Sequence, residues 1–347
     1  MTKEEAILGS PVDKAEYMKN LCFSHRNLEK ALAEVQLLMT PGAGLSVTAL
    51  VGSTGVGKTT FAKLMVRRLL EQYAAEIQED STCIPAVLSE VAAPGAKEFN
   101  WQLFYQHCLR DMLVPNWADP LMEATRSPVE SSDDRLRSFR LLFENALRNR
   151  SVRHLLLDEV VHFIDSVTDP LQYGNLMKSL ANRSSMNLLL IGAYGSEKLV
   201  RASGQLARRI AVVHYERYDD TPEDLAAYGE FVYSLQDSIP LKKPVNLEPH
   251  VGLLFDGTIG LVGLTAEIVR RAVVAAAVAG GEWKDDYLFK SMLSPAAFER
   301  VVTETLQGEE RIKPFLSSPK APVYPSLDEV KRKIVRERRI SEDERGA

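Results

Sequence analysis

The run Gly52-Ser53-Thr54-Gly55-Val56-Gly57-Lys58-Thr59 holds residues whose types and spacing could do chemistry together. It fits G-x-x-x-x-G-K-[ST]; an apolar segment, Val47 to Val51, leads into it and the helix-like Thr60 to Leu70 leads out. Gly55 and Gly57 let backbone N–H groups turn inward on phosphate oxygens, to which the positive end of a helix adds its own attraction. Lys58 neutralises the outer phosphates, and the Thr59 hydroxyl can ligate Mg²⁺. The chemistry is the binding of a nucleoside triphosphate. A chance Gly-rich turn would not bring strand, glycines, lysine and hydroxyl into agreement.

A second constellation lies further on, in His154-Leu155-Leu156-Leu157-Asp158-Glu159. Consecutive leucines make a strand buried on both faces, as a parallel sheet covered by helices requires, and the acidic pair emerges at its carboxyl end, where such a sheet puts its chemistry. Asp158 would hold the Mg²⁺ shell through water and Glu159 would polarise an attacking water, the two roles that phosphoryl transfer to water needs. An apolar run ending Asp-Glu describes many strand ends. Placed about a hundred residues after a phosphate loop, with a strand and a helix between, it becomes specific.

The elements that must position these residues follow from periodicity and turn chemistry. Ser24 is placed to cap a helix with Leu28, Leu32, Val35 and Leu38 at helical spacing, ended by Pro41-Gly42-Ala43-Gly44. His25 and Arg26 either approach the base of a nucleotide or are plain exposed polar residues. After the phosphate-loop helix come a charged connector (Glu76 to Asp80), a strand from Ile84 to Val91, a loop carrying Lys97, and an amphipathic helix from Trp101 to Met112, in which His107 reads as a satisfied interior or boundary histidine. Pro115 to Asp134 reads as a surface excursion, and a helix from about Asp133 to Asn149 alternates arginines with apolar residues. The helix Leu171 to Ala181 and the strands Leu188 to Gly192 and Ala211 to His214 continue the alternation. From Asp219 onward prolines separate short helical pieces, including Leu264 to Ala279 and Pro295 to Leu306. The expected fold is α/β: a P-loop core with a parallel sheet flanked by helices, followed by a small helical lid. The expected domains are an N-terminal segment (1–23), the α/β core (24–218), the lid (219–310) and a Pro-rich then basic tail (311–347). The run Lys331 to Arg339 in that tail is either a helix that forms on a partner or a solvated charged segment.

Composition narrows the class. The chain has 347 residues and a net charge of −5, so any nucleic-acid contact has to come from a local basic surface. Cys22, Cys83 and Cys108 lack C-x-x-C spacing, which argues against a disulfide framework or a zinc site and for a reduced, cytoplasmic protein. Neither a leader nor an apolar run long enough to span a bilayer is expected, hence no membrane partner.

A phosphate loop, an apolar strand ending Asp-Glu, the arginine pair Arg208-Arg209 and a helical lid, in that order, resemble an AAA+ ATPase. The narrower resemblance is to the TniB/TnsC group of transposition regulators, relatives of IstB and MuB. It is carried by the helix before the first strand, by Asp158-Glu159-Val160-Val161-His162, by Ile191-Gly192-Ala193-Tyr194, and by Gly260-Leu261-Val262-Gly263 before an Ala-rich helix. The resemblance implies ATP and Mg²⁺ held by Gly52 through Thr60 with Asp158, hydrolysis to ADP and phosphate with Glu159 and Lys58 as catalytic residues, and Arg208 or Arg209 as an arginine finger reaching a neighbouring subunit; for these arginines a surface salt bridge is the other reading. It further implies a homo-oligomer on double-stranded DNA, a ring or filament of about six or seven subunits per turn, linking a TniQ-like target-selection protein to a transposase. Lys97, Arg126, Arg135 and Arg183 are the DNA-contact candidates, against a reading as solvated surface.

The sequence also departs from that pattern. Ala193 stands where a polar sensor is expected, with Tyr194 or Ser196 as substitutes, and the second-sensor candidates Arg270 and Arg271 lie late in their helix, so slow hydrolysis is the expectation. An AAA+ helicase loader or other replication ATPase, and a nucleotide-switch signalling ATPase, are the alternatives.

Overall fold

Strands this short and apolar can be joined in parallel only if each connection crosses back over a face of the sheet, and the helical segments between them supply those crossovers. The structure is a computed structural model that describes residues 1–40, 47–93, 99–114, 132–163, 186–201, 210–316 and 332. Residues 1–315 form one compact unit and 316–347 a second.

The chain opens with two short helices, α1 (Lys3–Leu8) and α2 (Pro11–Asn20). Each starts with a capping box, Thr2 with Glu5 and Ser10 with Asp13, which satisfies amide donors that a helix start leaves free. The buried Lys14 ammonium donates to the carbonyls of Ala6, Ile7 and Gly9 at 2.6, 2.9 and 2.8 Å, so the open end of α1 is closed by a side chain from α2. Helix α3 (Arg26–Leu38) is capped at His25 rather than Ser24; the Ser24 hydroxyl donates instead to Glu29 at 2.7 Å.

Next come β1 (Val47–Val51), α4 (Lys58–Gln72), α5 (Ala74–Glu79), β2 (Ala86–Glu90), α6 (Trp101–Asp111), α7 (Ser132–Asn149), β3 (His154–Asp158), a 3₁₀ turn (Val160–Phe163), β4 (Asn187–Gly192), α8 (Lys198–Arg201) and β5 (Ile210–His214). The five strands form one sheet in the order β2-β3-β4-β1-β5, and every pairing is parallel. Val51 pairs with Gly192 on one side and with His214 on the other, while Glu90 pairs with Asp158. The ends of β1, β3, β4 and β5 therefore reach the same edge, and only β4 separates the strand that enters the phosphate loop from the strand that ends in the carboxylates.

Both β1 and β3 are buried along their whole length. One core cluster joins Leu28, Leu32 and Val35 of α3 and Phe61 and Met65 of α4 to Leu156, Leu189 and Ile191 of the sheet. Past β5 the chain is helical: α9 (Pro222–Asp237), α10 (Val251–Thr258), α11 (Val262–Val278), α12 (Asp285–Ser291) and α13 (Pro295–Ile312). Their core holds Tyr228, Phe231, Ile268, Val269 and Ala272 and takes in Met18 from α2, so the N-terminal segment packs among the last helices. The buried Tyr228 hydroxyl lies 2.7 Å from Thr265 Oγ1 and 3.3 Å from Thr258 Oγ1, which keeps three polar groups paired inside that core.

Some expectations change. Helix α13 continues past Leu306 to Ile312, because Thr305, Gly308 and Ile312 are buried at helical spacing. His107, expected to be satisfied, has a buried Nδ1 with no hydrogen-bond partner among the described residues. The helix read over Leu171 to Ala181, the residues Lys97, Arg126, Arg183, Arg208 and Arg209, and the basic run apart from Arg332 lie outside the described residues. No described helix is long and apolar enough to cross a membrane.

Leu156 is fully buried at the middle of β3, with sheet neighbours on both sides. Leu156→Ala is expected to lower unfolding stability by about 2–5 kcal/mol, measured by chemical denaturation, with the secondary structure of the folded protein retained.

Candidate nucleotide-binding site

The site grows out of the end of β1. Beyond Val51 the loop turns with Gly55 at φ 83° and Gly57 at φ 107°, backbone that side-chain-bearing residues rarely adopt. Lys58 then begins α4, its ammonium buried and donating to the carbonyls of Gly52 at 3.2 Å and Ser53 at 2.9 Å. Burial lowers the Lys58 pKa, and the negative charges of Glu159, Asp158 and Glu304 oppose that shift in this order of weight. Thr59 is exposed and Thr60 half-buried beside it.

From β3, Asp158 is buried, and its Oδ1 accepts the Glu159 amide at 2.9 Å. Glu159 is half-buried with φ 57°, a left-handed backbone that costs a non-glycine residue on the order of 1–2 kcal/mol. Strain of that kind is kept where the direction of a side chain matters. No group of three or more His, Cys, Asp or Glu suited to a metal occurs among the described residues. The oxygens the site could offer a Mg²⁺ ion, which takes one or two from protein and the rest from phosphate and water, are the exposed Thr59 hydroxyl of the loop and the Asp158 carboxylate at the end of β3.

A cavity of about 480 Å³ adjoins the loop. Gly57, Thr59 and Thr60 line its phosphate end; Leu21, Phe23 and His25 come from the α2–α3 connection, Tyr215 follows β5, and Glu267 and Arg270 come from α11. Helix α11 meets the loop directly: the Leu264 amide donates to the Gly55 carbonyl at 3.1 Å, and a Cβ on Gly263 would lie 2.6 Å from that same oxygen. Only a residue without a side chain permits this approach.

His25 is no exposed polar residue. Its Nδ1 lies 3.1 Å from the Tyr218 hydroxyl and its Nε2 3.3 Å from the Tyr215 hydroxyl, and it stacks on the Tyr215 ring. Burial pushes its pKa down to about 4. The neutral ring has one N–H and one lone pair, so one tyrosine accepts and the other donates. Arg26 points elsewhere, pairing with Asp224.

At the end of β4, Ala193 offers no polar side-chain atom. The Tyr194 hydroxyl is committed to His214 Nε2 at 2.8 Å, and burial raises its pKa, so it stays protonated. Ser196 Oγ is buried without a hydrogen-bond partner among the described residues. Of the two arginines on α11, Arg270 lines the cavity, although it sits late in the helix, because the start of α11 rests on the loop and the helix runs along the cavity from there. Arg271 is exposed and paired with Glu267. Arg135 is exposed on α7.

The outer side of the loop is covered as well. Ser53 Oγ and Thr305 Oγ1 are 2.7 Å apart, and the Thr54 hydroxyl donates to Glu304 at 3.1 Å. Tyr215, Phe231, Glu304 and Thr305 carry no local motif that would have marked them as site residues.

The unfolded chain protonates His25 near pH 6.5, while the folded chain keeps it neutral down to about pH 4. Folding stability should therefore fall as pH drops from 6.5 towards 4, by about 2 kcal/mol at pH 5 from this residue. Thermal melts at pH 7 and pH 5 measure it: the loss should be smaller in His25→Gln than in the wild type.

Residues 43–200 match the AAA domain family. No curated protein matches the sequence. Among solved structures, the ORC2 protein of Aeropyrum pernix in its ADP form is 17% identical, with 80% of this chain and 71% of that one covered and a TM-score of 0.55. The ORC1 protein of the same organism, in complex with DNA, is 13% identical, covering 83% of this chain and 68% of its own, with a TM-score of 0.54. A Walker-type ATPase of Pyrococcus abyssi is 13% identical, covering 86% and 80%, with a TM-score of 0.52. At these identities the likeness is one of fold. A parallel five-stranded sheet flanked by helices, a phosphate loop at the end of β1 and the domain match together give this chain the AAA+ P-loop ATPase fold.

Proposed function

We propose that this protein binds Mg²⁺ and ATP in the cavity beside Gly57 and hydrolyses the nucleotide slowly, as an oligomer on double-stranded DNA that regulates transposition. The observation that carries the ATPase part is the buried Lys58 ammonium in the combined field of Asp158 and Glu159. A triphosphate laid along the loop would meet inward amides and that lysine, with the Thr59 hydroxyl and Asp158 placed for the metal. The metal supplies charge neutralisation of the phosphates. Glu159 orients the attacking water, and its constrained backbone holds the carboxylate in place. Arg270 stands along the cavity as a second cation for the phosphates. Slow turnover follows from Ala193, which cannot hydrogen-bond water or phosphate, and from Tyr194, whose hydroxyl is already engaged. A slow site suits a switch whose ATP-bound form has to last.

The DNA and transposition parts rest on the motif resemblance set out above. Net acidity is no objection, since many weak phosphate contacts add along an oligomer. Arg208 or Arg209 is proposed as the finger reaching the next subunit, Lys97, Arg126, Arg135 and Arg183 as DNA contacts, and a transposase and a TniQ-like protein as partners. A second reading, a replication ATPase, is favoured by the fold shared with the DNA-bound ORC1 protein.

Lys58→Ala should weaken ATP binding by more than about tenfold, since the loss of a hydrogen-bonded charge costs about 1.5–3 kcal/mol. Glu159→Gln should keep ATP affinity and cut turnover about 10²-fold or more, leaving the ATP-bound oligomer trapped on duplex. Equilibrium binding, phosphate release and sedimentation with duplex read these outcomes; unchanged turnover removes Glu159 from its role, and assembly indifferent to nucleotide removes the switch. Affinity capture yielding a replicative helicase rather than a transposase decides for the second reading.

A further inference from the structure

Helix α13 lies some 250 residues after the phosphate loop, yet it is seated on the loop's outer side. Thr305 and Ser53 share a buried hydroxyl contact at 2.7 Å, and Glu304 accepts from Thr54 at 3.1 Å. One turn on, Gly308 receives the Tyr194 ring so closely that a Cβ there would lie 2.0 Å from Cδ2, and Glu309 accepts from Arg217 Nε at 2.8 Å. Thr305 and Gly308 are buried, and Glu309 holds an arginine that is itself largely covered. Glu304 differs: it is exposed, and a glutamine of the same shape could accept the Thr54 hydroxyl equally well. What the carboxylate adds is negative charge, and that charge is felt at Lys58.

A bound triphosphate would bring several negative charges into the same field. We propose that Glu304 sets the affinity of the loop for nucleoside triphosphate by competing electrostatically with the phosphates for Lys58, so that α13 seated on the loop and a bound triphosphate weaken each other. The inference rests on reading the loop as a nucleotide site. The coupling is reciprocal, as linkage requires: a triphosphate loosens the Thr54–Glu304 contact by the same factor that the contact lowers its affinity. A diphosphate carries less charge and is penalised less. Helix α13 is thereby a latch that senses the charge of the nucleotide and frees the Ser53–Thr54 side of the loop when that charge is high.

Titration of the full-length protein with fluorescent ATP and ADP analogues tests this. Glu304→Gln, which keeps the hydrogen bond and removes the charge, should tighten ATP binding by about three- to tenfold, the effect of one like charge beside the loop in partly screened surroundings. ADP should gain less, and the gain should shrink in about 0.5 M salt. Gly308→Ala, which drives α13 off the Tyr194 ring, should shift ATP affinity in the same direction. Equal ATP affinity in wild type and Glu304→Gln, or weaker binding in the variant, overturns the latch while leaving the nucleotide site standing. No ATP binding by either protein overturns the site itself.

Discussion

Withdrawing the Lys58 ammonium from water costs several kcal/mol, and a cation in that position persists only where fixed dipoles and opposite charge replace the lost solvation. Two carbonyls of the loop and the carboxylates of Asp158, Glu159 and Glu304 supply part of that replacement here, and burial still lowers the lysine's pKa. The rest of the architecture can be understood from that requirement. The sheet order sets β3 one strand removed from β1, so two carboxylates reach the neighbourhood of the lysine, and among the described residues neither forms an ion pair with it. A carboxylate in direct contact would neutralise Lys58; at this remove it supports the charge and leaves it available to phosphate.

The same loop is where the helical part of the chain meets the sheet. The first turn of α11 donates an amide to Gly55, α13 presents hydroxyl and carboxylate to Ser53 and Thr54, and Tyr215 packs behind Gly52, where a Cβ would lie 2.6 Å from the Tyr215 carbonyl. Each of these contacts is short-range and directional. A change of charge in the loop would act on two helices that pack on the rest of the unit, and the proposed switch rests on that. Away from the loop the cavity is lined by Leu21, Phe23, Phe231 and His25, whose two ring nitrogens lie against tyrosine hydroxyls. A base placed there would be met largely by ring faces and apolar side chains.

Much of this was legible in the residues. The phosphate loop, the leucine strand with its acidic end, and the alternation of strands and helices state their structure locally, because glycine conformation, β-branching and helical spacing act over a few residues. The reading of His25 as an exposed polar residue failed for a reason of range: its burial comes from Tyr215, Tyr218 and Phe231, about two hundred residues away in sequence. The late position of Arg270 in its helix could not be weighed from the sequence for a related reason, since distance along a helix says little until the place where that helix touches the loop is known.

Taken alone, the sequence determined that a phosphate-binding turn sits between a buried strand and a helix, and that a second buried strand ends in two carboxylates; both follow from interactions between near neighbours. Which strand lies between them, which helix closes on Gly55, and that Glu304 and Thr305 come to rest on Ser53 and Thr54 were decided only by tertiary packing. Those placements come from burying apolar faces drawn from the whole chain at once, and no local pattern encodes which faces will meet.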